Sequence, residues 1–182
     1  MTLPAWREEP IAKGHDRKRF DCGVAPLNDY LSRYARQNHE SGGAKTFVAV
    51  ADAEPLHILG YYTISPGSIE FARTPEAVTR KLGRYEVPVF RLGRLAVATS
   101  HQKKGLGGQL LFAAGERALS VAAVVGGVAL AIDAKDDVAA GWYEGFGAMR
   151  LLDDPMKLIL PLATIADALT ASRRAGKLLK KR

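Results

Sequence analysis

The chain has 182 residues, of which 26 are Lys or Arg and 19 are Asp or Glu, and its formal net charge is +7. This length suits one domain, and a hydrophobic fraction of 47% excludes a globally disordered chain. A single cysteine, Cys22, excludes an internal disulfide framework and a cysteine-rich zinc site, and the four histidines lack metal-ligand spacing, so we expect no metal.

The pattern of apolar residues indicates a cytoplasmic protein with no membrane segment. The longest apolar stretch, residues 118–132, is interrupted by Ser120, Gly126 and Gly127, so no uncharged run reaches the length of a membrane-spanning helix. The first nine residues lack the basic-then-apolar order of a secretion signal.

The positive charge is concentrated in two blocks. Residues 73–104 carry 8 basic and 2 acidic side chains, and residues 173–182 carry 6 basic and none acidic. A basic block attracts polyanions because their binding releases counterions, although a solvated surface that maintains solubility is the simpler explanation. The first block leads directly into the motif at residues 95–110, which favours a phosphate-binding role for it.

In chain order, the sequence predicts a helix from Pro26, a hairpin of strands at 45–51 and 57–65, and a short helix from residue 74. A strand at 87–97, a helix at 105–125, a strand at 128–134 and a helix at 136–146 follow. A strand at 156–162 and a helix from Ile165 complete the chain. This order predicts an α/β or α+β layered fold, with one domain at 1–162 and a basic C-terminal helix or tail at 163–182.

Two details of this prediction concern packing. Leu27, Tyr30, Leu31, Tyr34 and Ala35 recur at helical spacing, so we expect both tyrosines to lie in the core. A glycine inside the strand at 87–97, at position 93, indicates a bulge or a close backbone approach.

The segment at residues 95–110 has the order strand, turn, helix, which is typical of phosphate-binding loops. It lacks the lysine of a Walker loop, and Leu110 replaces the last glycine of a dinucleotide fingerprint. The pattern Gln-x-x-Gly-x-Gly remains, at Gln102, Gly105 and Gly107. Glycines let backbone N–H groups turn toward a pyrophosphate, and the N-terminus of the following helix adds its positive dipole.

Together with Leu95-Ala96-Val97 before the loop and Trp142-Tyr143-Glu-Gly-Phe146-Gly147 further on, this pattern resembles the acetyl-coenzyme A signature of the GCN5-related N-acetyltransferases (GNAT). The resemblance covers residues 45–162. The segments at 20–23, 27–31 and 45–48 are similar to the toxin branch of that family, found in bacterial toxin–antitoxin systems.

The resemblance implies the GNAT fold, whose central mixed sheet is mostly antiparallel and flanked by helices. It also implies an enzyme that transfers acetyl from acetyl-CoA to the α-amine of aminoacyl-tRNA and so blocks translation. The implied partners are a ribbon-helix-helix antitoxin and a second copy of the chain in a homodimer. Tyr143 is implied as the general acid for the departing thiolate. The implied acetyl-CoA-binding residues are Leu95, Ala96, Val97, Gln102, Lys103, Lys104, Gly105, Leu106, Gly107, Gly108 and Asp136.

The strand at 89–97 contains no carboxylate that could serve as a general base. A lysine amine, with a pKa of about 10, must lose a proton before it attacks, whereas an α-amine, with a reference pKa of about 8, is substantially neutral at physiological pH. Arg91 and Arg94 occupy this strand, and positive surroundings lower the pKa of an amine further. This favours an aminoacyl ester as acceptor, while Glu86 leaves open a base that acts through water.

The first basic block is the predicted tRNA-binding surface. Its pair Arg80–Lys81 resembles a basic pair that binds tRNA in the toxins. The predicted tRNA-binding residues are Arg33, Arg36, Arg80, Lys81, Arg84, Arg91 and Arg94. Two alternatives remain: an acetyltransferase of protein N-termini, lysines or small-molecule amines, and a non-catalytic protein that binds nucleic acid or a partner. The intact Gln102–Gly107 pattern and Tyr143 argue against the second alternative.

Overall fold

The computed structural model describes residues 2–179, and the side chains of residues 2–176. The strands are β1 (Trp6–Pro10), β2 (Lys45–Ala51), β3 (Glu54–Ile69), β4 (Val87–Val97), β5 (Ala129–Asp133), β6 (Met149–Arg150) and β7 (Lys157–Pro161). They form one sheet in the order β1-β2-β3-β4-β5-β7-β6, and the pairs β1–β2, β2–β3, β5–β7 and β6–β7 are antiparallel. The helices are α1 (Ala25–Asp29), α2 (Ala35–Ser41), α3 (Glu76–Thr79), α4 (Leu106–Val125), α5 (Asp137–Glu144) and α6 (Leu162–Leu179). The predicted layered α/β class is confirmed.

The chain divides into two compact units, each made from two separate segments. Unit 1 comprises the residues up to Ser65 and Leu92–Ala114, and unit 2 comprises Pro66–Arg91 and the residues from Gly115 onward. The predicted division into a domain at 1–162 and a tail at 163–182 stays a prediction. Helix α6 is continuous from Leu162 to Leu179, and the last three residues of the predicted tail lie outside the described residues.

A π-helical turn at Tyr30–Tyr34 separates α1 from α2 in unit 1. Its signature is the Ala35 N–H, which donates to the Tyr30 carbonyl five residues earlier. A π turn holds more residues than an α turn, so the side chains after it are rotated relative to the α-helical pattern. Tyr30 and Leu31 are buried as predicted, but Tyr34 is 53% exposed, so the prediction of a core position for Tyr34 was wrong.

Two glycines allow close packing inside unit 1. A Cβ at Gly60 in β3 would lie 2.8 Å from Leu110 Cδ1 and 2.9 Å from the Ala96 carbonyl oxygen, so the start of α4 packs directly on the sheet. A Cβ at Gly93 would lie 3.0 Å from Thr63 Oγ1, which confirms the predicted close approach. These contacts fix the end of β4 relative to the start of α4.

Strand β1 was missed by the sequence analysis. It pairs antiparallel with β2, with Trp6 opposite Ala51 and Pro10 opposite Phe47. The Trp6 indole also donates to Gln109 Oε1 at 2.8 Å, which ties the N-terminal strand to α4. The segment was missed because its charged residues and proline lack the β-branched, alternating pattern of a strand.

Unit 2 places β7 between β5 and the two-residue β6. Helix α6 follows β7 without a loop, and the Leu162 N–H donates to the Val128 carbonyl at 2.9 Å. A Cβ at Gly115 would lie 2.7 Å from two Ile165 side-chain atoms, so α4 and α6 pack closely there. Burial of Leu158, Ile159 and Leu160 makes β7 a core strand.

One helix, α4, is long and apolar enough to cross a membrane by length and composition. Core helices of globular proteins pass the same test, so this signal is weak. Helix α4 carries Glu116 and Arg117 near its middle. It buries Leu106, Leu110 and Leu111 within the protein.

Candidate active site

The loop before α4 has the backbone geometry of an anion-binding turn. Lys103 has a φ of 60° and Gly105 a φ of 87°, both in the left-handed region. Such turns direct successive N–H groups to one side, and the first N–H groups of a helix have no acceptor within the helix. Leu106, Gly107 and Gly108 provide those groups at the start of α4. The loop therefore fits a pyrophosphate such as that of acetyl-CoA.

The Gln102 side chain supports this loop through two hydrogen bonds to main-chain carbonyls. Its Nε2 donates to the Val97 carbonyl at 2.9 Å and to the Cys22 carbonyl at 3.0 Å. The Lys104 ammonium donates to the Ser100 carbonyl at 2.6 Å, whereas Lys103 is exposed. Gln102 thus holds the turn in place, and the backbone provides the surface for a ligand.

Two residues outside the predicted site extend this support. Asp21 Oδ1 accepts from the Gly23 N–H and from Asn28 Nδ2, both at 2.8 Å, and these bonds lower the pKa of Asp21. The Thr99 N–H donates to the Asp21 carbonyl at 2.9 Å. The segments that contain Asp21 and Asn28 were noted only for family resemblance. A polar Asn in the first turns of an apolar helix was the available signal for a positioning role.

The strand segment Leu95-Ala96-Val97 ends β4, with Ala96 buried and its two neighbours half-buried. The next residue's N–H, that of Ala98, donates to the Leu59 carbonyl at 2.8 Å. This backbone leads directly into the Gln102 turn. The predicted contact of Leu95 and Val97 with acetyl-CoA stays a prediction.

Arg94 on β4 packs on a buried aromatic cluster in unit 1. Its guanidinium lies 3.6 Å from the centroid of the Tyr30 ring, a cation–π contact. Tyr30 stacks on Tyr61, and the Tyr61 hydroxyl donates to the Leu27 carbonyl at 2.8 Å. Burial raises the pKa of Tyr61 above its usual value, so this phenol stays neutral. Arg94 is therefore held in one orientation and is not a freely moving surface cation.

In unit 2, Tyr143 lies in the last turn of α5 and is 9% exposed. Its ring contacts Trp142 edge-on, with the ring centroids 4.9 Å apart. Arg150 pairs with Asp137 at 2.8 Å and Glu144 at 2.9 Å, which braces both ends of the short helix. Burial raises the pKa of Tyr143 to about 12, so the phenol keeps its proton at physiological pH.

Asp136 caps the N-terminus of α5. Its Oδ1 accepts from the Ala139 N–H at 2.8 Å, and Lys135 Nζ lies 3.8 Å from Oδ2. This cap fixes the start of the helix that carries Tyr143. A role for Asp136 in binding acetyl-CoA stays a prediction that rests on the family resemblance.

The predicted tRNA-binding residues differ in how far they are neutralised. Arg33 lies 3.9 Å from Asp29, Arg36 2.6 Å from Glu40, and Arg91 3.4 Å from Asp133. Three others are exposed and form no ion pair within residues 2–179: Arg80, Lys81 and Arg84. The structure thus distinguishes a basic loop at 80–84 that is available to a polyanion from arginines already engaged by the protein.

No group of three or more potential metal-ligating side chains occurs among residues 2–179. The ligand features in the described chain are an anion-binding loop, a buried neutral tyrosine and an exposed basic loop. The loop before α4 gives the described chain a place for a phosphate-containing ligand.

Comparison with known proteins identifies the family. The family model "Acetyltransferase (GNAT) family" matches residues 12–148, and the chain belongs to this family. The predicted resemblance is confirmed. A tRNA-acetylating toxin of Mycobacterium tuberculosis is 35% identical over 150 residues, which cover 82% of this chain and 88% of the relative.

Solved structures agree with this assignment. AtaT complexed with acetyl-methionyl-tRNAfMet superposes with a TM-score of 0.84 at 25% identity, covering 91% of this chain and 99% of that one. A variant of AtaT bound to the C-terminus of the antitoxin AtaR and acetyl-CoA gives a TM-score of 0.78 at 25% identity, covering 91% and 98%.

Proposed function

We propose that this chain transfers an acetyl group from acetyl-CoA to the α-amine of aminoacyl-tRNA and thereby stops translation. The observation that carries the choice of acceptor is the character of β4, which presents Arg91 and Arg94 and contains no carboxylate. The names of the relatives, a tRNA-acetylating toxin and an AtaT complex with acetyl-methionyl-tRNA, support the same acceptor.

In this proposal, the Gln102–Gly108 loop holds the pyrophosphate of acetyl-CoA through backbone N–H groups. Acetyl-CoA supplies the acetyl group as a thioester. The backbone N–H groups of Leu95 and Val97 orient the donor and stabilise the negative charge that develops on the carbonyl oxygen. Because these contacts come from the backbone, they depend on the local fold more than on side-chain identity.

The acceptor α-amine can be deprotonated at physiological pH without a general base from the protein. A free α-amine has a reference pKa near 8, and nearby positive charge lowers the pKa further. Asp133 offsets part of the charge of Arg91, so Arg94, which no carboxylate pairs in residues 2–179, contributes more to this effect. During transfer the nitrogen gains the acetyl group and loses a proton, and the sulfur gains a proton as the carbon–sulfur bond breaks.

Tyr143 donates a hydrogen bond to the departing sulfur. With a pKa of about 12 it is a weaker acid than a thiol with a reference pKa near 8.5, so complete proton transfer from Tyr143 is uphill by roughly 3 to 4 pKa units. We therefore assign Tyr143 the role of a hydrogen-bond donor that stabilises the leaving thiolate. The proton lost by the amine balances the reaction.

Partners follow from the same family branch. Solved neighbours include AtaT with the antitoxin AtaR and a KacTA–DNA complex. We propose that this chain works in the cytoplasm as a homodimer and is neutralised by an antitoxin with a ribbon-helix-helix region. These assignments rest on resemblance and on the partners named for the neighbours.

The decisive test is acetylation of charged tRNA. Purified protein is incubated with labelled acetyl-CoA and bulk aminoacyl-tRNA, and N-acetyl-aminoacyl-tRNA is separated after nuclease digestion. Tyr143→Phe should remain folded and lose about 100-fold or more in kcat, because the leaving thiolate loses its hydrogen-bond donor. Tyr34→Phe, which removes the hydroxyl of an exposed tyrosine, is the matched control and should keep full activity.

Two parallel acceptors decide between the candidate functions. Peptide N-termini and lysine peptides are offered under identical conditions. Absence of product with every charged tRNA would eliminate the proposal, and acetylation of peptides alone would favour the alternative acetyltransferase.

A further inference from the structure

The loop between α3 and β4 carries an aromatic side chain that the proposed mechanism does not use. Tyr85 is 82% exposed, although its neighbours in sequence return to the core immediately afterwards at Val87. The Tyr85 ring is therefore open to contact with a ligand, and tyrosine combines an apolar ring with a polar hydroxyl.

The Tyr85 ring is held in a defined position. The Tyr85 N–H donates to the Gly83 carbonyl at 2.8 Å, which closes a tight turn. A Cβ at Gly83 would lie 3.0 and 3.1 Å from Tyr85 Cδ2 and Cε2, so the ring rests against the bare Cα of that glycine. One side of the ring is supported by the turn, and the residue as a whole remains open to solvent.

Both ends of the loop are anchored in unit 2. Leu82 packs against the buried cluster that contains Val87 and Val89, and its N–H donates to the Thr79 carbonyl at 2.9 Å. The Ser68 hydroxyl donates to the Glu86 carboxylate. These contacts reduce the entropy that the loop would lose on binding a ligand.

The charged residues of the loop that carries Tyr85 indicate the ligand's chemistry. Arg80, Lys81 and Arg84 are exposed and unpaired within residues 2–179, and the nearby Glu86 accepts from Ser68. An aromatic ring among free cations is the arrangement with which proteins bind single-stranded nucleic acid, since bases stack on the ring and phosphates meet the cations. An apolar protein partner would instead require an apolar surround.

We propose that Tyr85 is a stacking platform for an unpaired base at the 3′ end of the aminoacyl-tRNA, with Arg80, Lys81 and Arg84 binding the adjacent phosphates. This inference rests on the proposed function, because the 3′ end is where the acceptor amino acid is attached. Tyr85 is a binding residue here, and it determines how the acceptor end is held.

The kinetic test compares Tyr85→Ala with two aromatic replacements and one apolar replacement. Tyr85→Ala should raise the KM for aminoacyl-tRNA about 10-fold, as loss of one base–aromatic stack predicts, and leave kcat within twofold. Tyr85→Phe and Tyr85→Trp should keep the wild-type KM, and Tyr85→Leu should behave like Tyr85→Ala. The KM for acetyl-CoA and the rate with an amino-acid methyl ester, an acceptor without a base, should not change in any variant.

The same variants separate stacking from other roles of the side chain. If Tyr85→Phe raises the KM for aminoacyl-tRNA, the hydroxyl is responsible for the effect. If Tyr85→Leu keeps the wild-type KM for aminoacyl-tRNA, apolar packing is responsible. Either result overturns the proposal, as does an unchanged KM in Tyr85→Ala. Circular dichroism confirms that each variant is folded.

A binding experiment distinguishes this inference from the proposed function. The Tyr85→Trp fluorescence should be quenched by a four-nucleotide single strand and not by inorganic phosphate, after subtraction of the signal from wild-type protein. Quenching with no acetylation of any charged tRNA would leave the platform standing and overturn the proposed function. Acetylation of charged tRNA by the wild type, without quenching of the Tyr85→Trp fluorescence, would support the proposed function and overturn the stacking role of Tyr85.

Discussion

Two loops of this protein are suited to phosphate groups, and they are built in opposite ways. In the Gln102–Gly108 loop, Gln102 and Lys104 donate to main-chain carbonyls, Lys103 is exposed, and the backbone N–H groups form the surface for a ligand. In the loop at residues 80–85, Arg80, Lys81 and Arg84 are exposed, and the backbone makes a tight turn from Gly83 to Tyr85. The first loop should therefore be sensitive to backbone changes and the second to side-chain changes.

Gly105→Ala should produce the largest effect among variants outside Tyr143. A φ of 87° costs an L-residue roughly 1–2 kcal/mol, and no atom lies within 4 Å of the added Cβ, so the effect isolates backbone strain. We expect the KM for acetyl-CoA to rise about 5- to 30-fold, measured by thiol release. Gly176→Ala in α6 has equally open surroundings without a positive φ and should leave the KM unchanged. Equal effects of both changes would contradict the contrast between the loops.

Removing two charges from the second loop should give the complementary result. Arg80→Ala/Lys81→Ala should raise the KM for aminoacyl-tRNA about 10-fold and reduce the salt dependence of binding by roughly two phosphate contacts. The KM for acetyl-CoA should stay within twofold, measured in the same assay. Arg33→Ala/Arg36→Ala removes two arginines that already face carboxylates and should have the smaller effect. Weaker binding of acetyl-CoA in the 80/81 variant would show that the loops do not act separately.

Gln102→Ala tests whether side-chain bonds to main-chain carbonyls support the first loop. Loss of its two hydrogen bonds should raise the KM for acetyl-CoA about 5-fold and lower the melting temperature by several degrees. Gln109→Ala removes the acceptor of the Trp6 indole at a helical position and serves as the control. It should leave the acetyl-CoA KM unchanged. If Gln102→Glu restored binding, the bonds to carbonyl oxygens would not be the reason, because a carboxylate cannot donate to them.

Deletion of residues 173–182 should have the smallest effect. It removes six basic side chains and the Arg173–Glu116 ion pair, whose arginine is 73% exposed, and such pairs contribute little. We expect less than a twofold change in kcat/KM with aminoacyl-tRNA. A loss of tRNA acetylation in a folded truncated protein would place the main polyanion surface at the C-terminus and not at residues 80–85.

Sequence reasoning found the elements with strong local patterns. The expected periodicity is present in the hairpin, in the helix α4 and in the apolar strand β5. The glycine at position 93 indicated the close approach of the Thr63 side chain. Strand β1 was missed because its partner β2 is distant in sequence and its own residues carry little β preference. Strand β6 was missed because two residues are too few to show the periodicity of a strand. The π turn was missed because its insertion leaves no simple mark in the apolar spacing, and it displaced Tyr34.

The sequence predicted which residues belong to the candidate site, but it did not predict their hydrogen bonds or ion pairs. The glycines and Tyr143 stand out in the sequence, whereas the inward bonds of Gln102 depend on the Cys22 carbonyl, 80 residues away. The arginines looked equivalent in sequence. Only their partners, such as Asp133 for Arg91 and the Tyr30 ring for Arg94, distinguish them from Arg80 and Arg84.

The discontinuity of the two units has a consequence for synthesis. Unit 1 needs residues 92–114 to join the segment that ends at Ser65, and unit 2 needs β5, α5 and β7 to join a segment that ends at Arg91. A ribosome makes the chain from its N-terminus, so the loop that suits a pyrophosphate completes its supports before Tyr143 has been translated. The supports of the Gln102 turn, which include the Cys22 and Val97 carbonyls, therefore all precede Tyr143 in the order of synthesis.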